Sequence, residues 1–274
     1  ASRKLDGVRC ITVVGLDGEV KCYSRVGNEF ETLQVVKDAV KQLGVVGVVF
    51  DGEICLMDKD GNEDFQGIMK QIKRKNHTIT NPKYVMFDYL TKSEFDSKES
   101  TATLAERIAR FSKLDERIED QESLSVLEQI VVNDDDHFAA LKSKAEDKGF
   151  EGVMLRKNVG YEGKRSQNLL KVKKFFDAEY VVRSIDHEDH RIIRDGKEVT
   201  VRMMSQAYIM HKGFSVAVGS GWNQEQRLKY EANPELIIGK TITVQYFEET
   251  KNQQGELSLR FPTVKHVYEN ERNV

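Results

Sequence analysis

Apolar and polar residues along the first part of the chain follow strand spacing in some segments and helix spacing in others. Two β-rich runs at residues 10–14 and 20–24 flank Asp17-Gly18, a sequence typical of a hairpin turn. Short apolar runs predict further strands at residues 45–50, 84–88, 153–156 and 169–173. Apolar side chains at helical spacing predict helices between them. Those side chains are Leu33, Val36, Val40 and Leu43; Phe65, Ile68, Met69 and Ile72; Leu104, Ile108, Phe111 and Leu114; and Phe138, Leu141 and Ala145.

From about Phe175 the pattern changes to strands without long helices. Strands are expected at residues 178–185, 199–204, 206–212, 214–218, 241–247 and 257–261, with one helix at residues 224–232. So many short strands in about 100 residues predict a small all-β OB-fold barrel. The first part mixes strands and helices irregularly, which favours an α+β arrangement over a regular βαβ repeat. We therefore expect two domains, residues 1–174 and 175–274.

Composition narrows the class of protein. Hydrophobic residues make up 39% and charged residues 32% of the 274 residues, which allows a buried core and does not fit a disordered chain. The 42 basic and 45 acidic residues leave a net charge of -3, so nucleic acid would have to be bound by a local basic surface. No run approaches the ~18 apolar residues of a membrane span, and the N-terminal residues lack a signal-peptide core. We therefore expect an unanchored cytoplasmic protein.

The cysteines exclude two kinds of scaffold. Cys10, Cys22 and Cys55 are odd in number and lack zinc-ligand spacing. Neither a disulfide scaffold nor a structural zinc site is therefore expected.

The segment R-K-L-D-G-V-R carries the first candidate chemistry. Lys4 can act as an amine nucleophile, and Asp6, next to Gly7, can orient it. Arg9 offers a fixed fork for phosphate or ribose. A salt-bridged strand end is the alternative interpretation of these residues. No P-loop and no G-x-G-x-x-G sequence occurs, so phosphate is not expected to be bound by either kind of loop.

Five later segments follow the Lys4 segment in a recognisable order. They are Ser24-Arg25-Val26-Gly27, Phe50-Asp51-Gly52-Glu53, Tyr84-Val85-Met86-Phe87-Asp88, Glu151-Gly152-Val153-Met154-Leu155-Arg156 and Leu170-Lys171-Val172-Lys173. In sequence and in order they resemble the motifs of the covalent nucleotidyltransferase superfamily, which contains DNA ligases, RNA ligases and mRNA capping enzymes. The resemblance implies a nucleotidyltransferase (adenylation) domain of antiparallel sheets and helices, followed by an OB-fold domain.

The resemblance implies which residues react. In the superfamily the motif lysine attacks the α-phosphate of ATP, forms a lysyl phosphoramidate and releases pyrophosphate, so Lys4 is the expected nucleophile. A free lysine has a pKa of about 10.4, and neighbouring cations would favour its neutral form. Lys171 and Lys173 can supply that charge, because a spacing of two puts both amines on one face of a strand. A lysine-rich surface strand is the alternative. Arg260 completes the expected catalytic residues.

The resemblance also implies a nucleotide site and a metal site. Glu53 is expected to contact the ribose or a metal, and Glu151 a metal; Mg²⁺ suits such carboxylate oxygens, and Mn²⁺ is a possible substitute. Phe87 corresponds to the aromatic residue that stacks on the purine, although an aromatic in an apolar strand is more often part of a core. The expected ATP-binding residues are Asp6, Gly7, Arg9, Glu53, Phe87, Glu151, Lys171 and Lys173.

Local basic residues indicate a surface for nucleic acid. Arg25 lies in a segment that in DNA ligases contacts the 5′ end of the nick. Residues 156–174 contain several lysines and arginines against a single acid, Glu162. A solvated charged face is the alternative for such a run. The predicted DNA-binding residues are Arg25, Lys157, Lys164 and Arg165.

The end of the chain favours one branch of the superfamily. Ser258-Leu259-Arg260-Phe261-Pro262 resembles the end of phage and bacterial ATP-dependent DNA ligases. This implies a monomer that seals nicks in duplex DNA, in a bacterial cytoplasm or a phage-infected cell, during replication, repair or recombination. Two departures stand out. The R-x-D-K tail is replaced by Val267-Tyr268-Glu269-Asn270, and the short segment before Lys4 indicates that residues enclosing the adenine are missing.

Three alternatives remain open at this stage. An RNA ligase would prefer nicked RNA, and an mRNA capping guanylyltransferase would use GTP. A non-enzymatic OB-containing protein that binds nucleic acid is the third, and the intact set Lys4, Glu53, Glu151, Lys171 and Lys173 argues against it.

Overall fold

The computed structural model describes residues 1–59, 61–251 and 255–269, and the chain divides into two compact units, Ala1–Lys173 and Lys174–Val274. Asn270, the last residue of the atypical tail, lies outside the described residues. The strands of the first unit are β1 (Ser2–Arg3), β2 (Val8–Val14), β3 (Val20–Tyr23), β4 (Val48–Cys55), β5 (Lys83–Thr91), β6 (Glu99–Ser100), β7 (Leu124–Val126), β8 (Val153–Arg156), β9 (Tyr161–Glu162) and β10 (Leu169–Val172). Its α-helices are α1 (Gln34–Gln42), α2 (Phe65–Gln71), α3 (Lys92–Ser97), α4 (Leu104–Ala109), α5 (Asp115–Glu119) and α6 (Asp135–Asp147).

The main sheet of the first unit has the strand order β3-β2-β4-β5-β7. β7 runs parallel to β5, and the other three pairs are antiparallel. β2 and β3 form the predicted hairpin, in which Gly18 takes a φ of +79° that suits a residue without a Cβ. Apolar side chains from the sheet and from the helices, among them Val36, Phe50 and Met86, form one buried core. The predicted α+β arrangement is confirmed.

One predicted helix is shorter than its apolar spacing indicated. The spacing continued to Leu114, but the α-helix ends at Ala109 and is followed by a 3₁₀ turn at Arg110–Lys113. The N-terminus of this helix is fixed by a capping box between Thr103 and Glu106. Phe111 and Leu114 are still buried, as their spacing predicted. The prediction that they lie in a continuous α-helix was wrong.

Two small sheets complete the first unit. β1, β8 and β10 form an antiparallel three-stranded sheet with β8 in the middle. β6 pairs with β9. The three-stranded sheet positions the residues that the sequence singled out for catalysis.

The second unit consists mainly of strands. They are β11 (Phe176–Arg194), β12 (Lys197–His211), β13 (Phe214–Val218), β14 (Thr241–Tyr246), β15 (Glu249–Lys251), β16 (Leu257–Leu259) and β17 (Thr263–Val267), with the helix α7 (Gln224–Ala232). The two strands predicted at residues 199–204 and 206–212 are one strand, β12. Ser205 interrupts the apolar pattern where the register with β11 shifts between Asp186 and His187, and the strand continues through it.

The long strand β11 links two parts of the second sheet, whose order is β13-β12-β11-β14-β17. Its first residues pair with β14 and its later residues with β12. A bridge between Ser220 and Thr263 brings the chain after β13 next to β17, at the other edge of the sheet. Met204, Trp222 and Ile242 lie in the buried core of this unit. This is the OB-like architecture that the strand pattern predicted.

Membrane-spanning helices are absent from the part of the chain that the structure describes, since none of its helices is both long and apolar enough.

Candidate functional site

Lys4 lies in the short connection between two sheets. β1, directly before it, pairs with β8, whereas β2, just after it, belongs to the main sheet. The amide of Lys4 donates to the carbonyl of Gly152 at 2.7 Å, which extends the pairing of β1 with β8. β10 pairs with β8 from the other side, with Lys171 opposite Met154. Three segments that are distant in sequence therefore end close together.

Gly152 permits this close approach. Its φ is +150°, and a Cβ at this position would lie 2.3 Å from the carbonyl oxygen of Val172. A larger residue would therefore force the end of β10 away from β8. The glycine keeps its neighbour Glu151 next to Lys173, which follows β10.

Glu151 joins two lysines through one carboxylate. The Nζ atom of Lys4 contacts its Oε2 atom, and the Nζ atom of Lys173 contacts its Oε1 atom. The Glu151 side chain is 4% exposed, and the side chains of Lys4 and Lys173 are 14% and 18% exposed. A carboxylate buried to this extent is costly unless its oxygens are paired, and each lysine pairs with one of them.

Lys171 lies within β10 and its side chain is more accessible than that of Lys173. Partial burial lowers the pKa of Lys171, and the positive charges of Lys4, Lys173 and Arg25 lower it further. The strand ends at Val172, so Lys171 is inside the strand and Lys173 is beyond it. Lys4 and Lys173 thus both lie close enough to Lys171 for their charges to lower its pKa.

Glu53, in β4, is a second carboxylate in this region. It accepts a hydrogen bond from the amide of Gly7 at 3.3 Å. Burial raises the pKa of Glu53 to about 7; the negative charges of Glu151 and Glu63 add to this effect, and the ammonium of Lys4 opposes it. At neutral pH a bound cation could therefore replace the proton on Glu53 at little cost.

The carboxylates fit a metal that also binds phosphate. No cluster of three or more His, Cys, Asp or Glu side chains that could hold a metal occurs within residues 1–59, 61–251 and 255–269. Glu53 and Glu151 nevertheless offer hard oxygens next to Lys4. Mg²⁺ typically binds through one or two carboxylates together with phosphate oxygens and water. These two carboxylates suit a Mg²⁺ ion whose remaining ligands are water and the phosphate oxygens of a nucleotide.

Two carboxylates hold the turn after Lys4 by accepting hydrogen bonds from its backbone amides. The amide of Asp6 donates to Oε2 of Glu63 at 2.7 Å, and the next amide is the one bound by Glu53. A Cβ on Gly7 would lie 2.5 Å from the carbonyl oxygen of Ile54. Glycine is therefore required where this turn meets β4.

Arg9, in β2, forms an ion pair with Asp51, in the neighbouring strand β4. The Nε atom of Arg9 donates to Oδ1 of Asp51 at 2.8 Å, and its Nη2 atom contacts Oδ2. Burial raises the pKa of Asp51, while the guanidinium of Arg9 counteracts that shift. The ion pair holds Arg9 in one orientation, with Glu53 directly opposite it in the strand register.

Phe87 is 9% exposed and lies in a small buried cluster with Leu5, Cys55, Val85 and Leu127. The guanidinium carbons of Arg156 and Arg9 lie 5.0 and 5.8 Å from the centre of its ring. The ring is thus both a core residue and a partner of two cations. Its stacking on a purine stays a prediction.

The predicted DNA-binding residues are on the surface, and the charge of one of them, Arg25, reaches Lys171. Arg25, Lys157, Lys164 and Arg165 are all exposed. Lys164 lies 3.5 Å from a carboxylate oxygen of Glu162. Exposed, weakly paired cations of this kind are available for phosphate groups.

Arg260 lies in the second unit, where its side chain contacts one carboxylate and two aromatic rings. Its Nη1 atom donates to Oε1 of Glu248 at 2.7 Å, and its side chain is 10% exposed. The rings of Phe247 and Phe261 lie 5.4 and 5.1 Å from its guanidinium carbon. Between these partners, the arginine contributes to the packing of the unit.

Three residues near the site were not singled out from the sequence. Glu63 contacts the chain on both sides of Lys4, Asp51 orients Arg9, and Arg156 lies over Phe87. Asp51 and Arg156 belong to segments that the sequence did single out. Glu63 follows a polar stretch without periodicity, and no sequence pattern marked it.

Two family models match the chain. The model described as ATP dependent DNA ligase domain matches residues 1–173, and the model described as DNA ligase OB-like domain matches residues 196–267.

Curated relatives include DNA ligases of a virus and of a phage. The DNA ligase of African swine fever virus (isolate Tick/South Africa/Pretoriuskop Pr4/1996) is 28% identical over 260 residues, which is 90% of this chain and 58% of that protein. The DNA ligase of Enterobacteria phage T4 is 27% identical over 220 residues, which is 65% of this chain and 45% of that protein. The chain thus spans less than two thirds of the length of these relatives.

Solved structures share the fold. The structure titled Pmar-Lig_PreS3 has a TM-score of 0.81 at 23% identity, covering 97% of this chain and 62% of that one. The ATP-dependent DNA ligase from bacteriophage T7 in complex with ATP has a TM-score of 0.54 at 16% identity, covering 97% of this chain and 91% of that one. At these identities the likeness concerns the fold alone.

Proposed function

The chain belongs to the ATP-dependent DNA ligase family, and we propose that it seals nicks in duplex DNA that carry a 5′-phosphate and a 3′-hydroxyl. One observation carries the proposal: Lys4, Glu151 and Lys173 form a buried ion-paired group inside the segment that matches the ligase domain. An amine that shares a site with a carboxylate and further cations is equipped for attack on a phosphate. The names of the relatives support DNA as the substrate.

The first step would be self-adenylylation. The lone pair of Lys4 Nζ attacks the α-phosphorus of ATP, a phosphorus–nitrogen bond forms, and the bond to the bridging oxygen breaks, so that pyrophosphate leaves with its electron pair. Lys4 must lose a proton in this step. Its contact with Glu151 gives that proton a nearby acceptor.

The next two steps would use the DNA. An oxygen of the 5′-phosphate attacks the phosphorus of lysyl-AMP, and the phosphorus–nitrogen bond breaks, so that Lys4 takes back the electron pair and a proton from Glu151 and the DNA carries AMP. The 3′-hydroxyl oxygen then attacks the 5′-phosphorus and its proton passes to water. The bond from that phosphorus to the oxygen bridging to AMP breaks, so that AMP leaves with the electron pair. Lys171 and Lys173 suit both stages, since cations stabilise the charge that develops on the phosphates.

Magnesium fits the donors described above. We propose Glu53 and Glu151 as its protein ligands, with Mn²⁺ as a substitute. Such an ion would neutralise charge on the phosphate oxygens. Glu53 suits this role because a cation would replace the proton that its raised pKa leaves in place near pH 7.

The nucleotide would be held by residues around Lys4. Asp6 and Gly7 form the turn, Asp51 holds Arg9, which would contact the ribose, and Phe87 would support the base. This supports ATP binding within the first unit, which we propose as the adenylation domain.

The second unit, which we propose as the OB-fold domain, would supply Arg260 for the first step. A guanidinium held between Glu248 and two aromatic rings is a fixed fork for pyrophosphate oxygens. The partner we propose is nicked duplex DNA, bound by one copy of the chain through Arg25, Lys157, Lys164 and Arg165. A bacterial cytoplasm or a phage-infected cell stays the expected place of action.

A sealing assay tests the proposal. Purified protein is incubated with Mg²⁺ and either ATP or GTP, together with a duplex that contains a single 5′-phosphorylated nick in DNA or in RNA. Sealing of the DNA nick with ATP is the expected result. Faster sealing of the RNA nick, or labelling by GTP in preference to ATP, would instead support an RNA ligase or a capping enzyme.

A further inference from the structure

Glu63 contacts the chain on both sides of Lys4. Its Oε1 atom accepts a hydrogen bond from Nη1 of Arg3 at 2.6 Å, and its Oε2 atom accepts one from the amide of Asp6 at 2.7 Å. The Glu63 side chain is 10% exposed. One partly buried carboxylate thus spans the residue before the lysine and the turn after it.

Backbone pairing among the described residues after β4 brings Glu63 to this place. The amide of Asp58 donates to the carbonyl of Asn62 at 2.8 Å, and Glu63 forms a bridge pair with Met57. The amide of Asp64 then donates to the carbonyl of Leu56 at 2.8 Å. The backbone around Glu63 is therefore held in place by pairing, so its carboxylate can in turn hold Arg3 and the Asp6 amide.

Two neighbouring amides in the Lys4 turn are bound by different carboxylates. Glu63 accepts from Asp6 at 2.7 Å, whereas Glu53 accepts from Gly7 at the longer distance of 3.3 Å. Glu63 forms an ion pair with Arg3, whereas Glu53 is the carboxylate proposed to bind the metal. If Glu53 released the Gly7 amide to do this, Glu63 would still hold the turn after Lys4 through the Asp6 amide.

We infer that Glu63 is a positioning residue for the nucleophile: it clamps Arg3 and the Asp6 amide so that Lys4 Nζ stays on the line of attack. The inference rests on the proposed role of Lys4. Effective attack requires the reacting atoms to be held within a narrow geometry, and small displacements are costly in rate. Glu63 itself does not touch the reacting atoms in this scheme.

Single-turnover labelling with α-phosphate-labelled ATP tests the clamp in Glu63→Gln. The neutral amide weakens both hydrogen bonds, and we expect the rate constant of Lys4 labelling to fall by about tenfold, with the half-saturating ATP concentration within about twofold of wild type. Sealing of a nick that already carries 5′-AMP needs no lysyl-AMP and should stay within about twofold. Arg3→Met removes the ion pair with Glu63 but keeps the hydrogen bond from the Asp6 amide, so its labelling should fall less than that of Glu63→Gln.

Glu19→Gln is the matched control, because Glu19 is an exposed glutamate paired with Lys21 at 3.1 Å elsewhere in the first unit. It should label at the wild-type rate. Equal losses of labelling and of sealing in Glu63→Gln, or labelling at the wild-type rate, would overturn the clamp. Absence of any label in the wild-type protein would contradict the proposed function instead, so the two failures can be told apart.

Discussion

Lys4 and Glu151 form an ion pair in which the lysine side chain is 14% exposed and the glutamate side chain only 4% exposed. The pair couples the start of the first unit to a segment near its end. Because Lys173 occupies the other oxygen of the same carboxylate, loss of either lysine leaves one carboxylate oxygen without its lysine, and loss of Glu151 leaves two ammonium groups without the carboxylate that they share.

Replacement of Lys4 should abolish covalent labelling. We expect Lys4→Ala to lose essentially all label from α-phosphate-labelled ATP that survives denaturation, because Lys4 is the only lysine of the R-K-L-D-G-V-R segment. Lys21→Ala, which removes an exposed lysine of the same unit, is the control and should label normally. Peptide mapping of the wild-type label checks the site directly, and full labelling of Lys4→Ala would rule out this nucleophile.

Arg260 should matter for the first step more than for the last. Without its guanidinium the leaving pyrophosphate is less stabilised, so Arg260→Ala should label with ATP at least about tenfold more slowly. The same variant should still seal a nick that carries 5′-AMP, since that step releases no pyrophosphate. Lys171→Ala should slow both reactions. Equal losses in Arg260→Ala would indicate that its packing between Phe247 and Phe261 is what counts.

Glu53 should make the protein less stable as the pH rises. Its pKa in the folded chain is about 7, above the ordinary glutamate value of about 4.3, so the folded state binds more protons between these values and stability falls over that window. The full effect is roughly 4 kcal/mol above pH 7. Glu53→Gln removes it, and urea unfolding should therefore find the variant more stable than wild type at pH 8 and little different at pH 4. A wild-type advantage at pH 8 would contradict the raised pKa.

The exposed cations should set the salt dependence of DNA binding. Removal of one side chain that neutralises a phosphate should reduce the slope of log K against log salt by about 0.9. Binding of nicked DNA by Lys157→Ala with Arg165→Ala, measured across a salt series, should thus give a clearly shallower slope. Lys92→Ala is the control, since this lysine pairs with Asp96 just after β5. An unchanged slope in the double variant would assign DNA binding to a different surface.

The fold could largely be predicted because it follows apolar periodicity. α7 occupies residues Gln224–Ala232 and β8 occupies Val153–Arg156, as the pattern indicated. α3 was missed because it contains a single apolar residue, Phe95, and depends on the capping box of Thr91 with Glu94. Signals that depend on hydrogen bonds at a helix end leave no periodic trace.

The site was predicted only as a set of segments. Motif order indicated Lys4, Glu151 and Lys173, but which lysine pairs with the carboxylate depends on β10 ending at Val172. Glu63 could not be found, because its role depends on a turn that returns the chain to the Lys4 segment. The sequence shows that Glu63 is charged, but only the tertiary structure shows that its partners are Arg3 and the Asp6 amide.

The pairing of β1 with β8 has a consequence for how this chain matures on the ribosome. Met154 is synthesised about 150 residues after its partner Ser2, at a rate of about 5–20 residues per second. Lys4, the proposed nucleophile, would therefore wait for seconds to tens of seconds without Glu151, while the strands of the main sheet are already synthesised. Covalent labelling of a nascent chain would thus report completion of the first unit, because a chain that ends before Lys173 lacks one of the two lysines paired with Glu151.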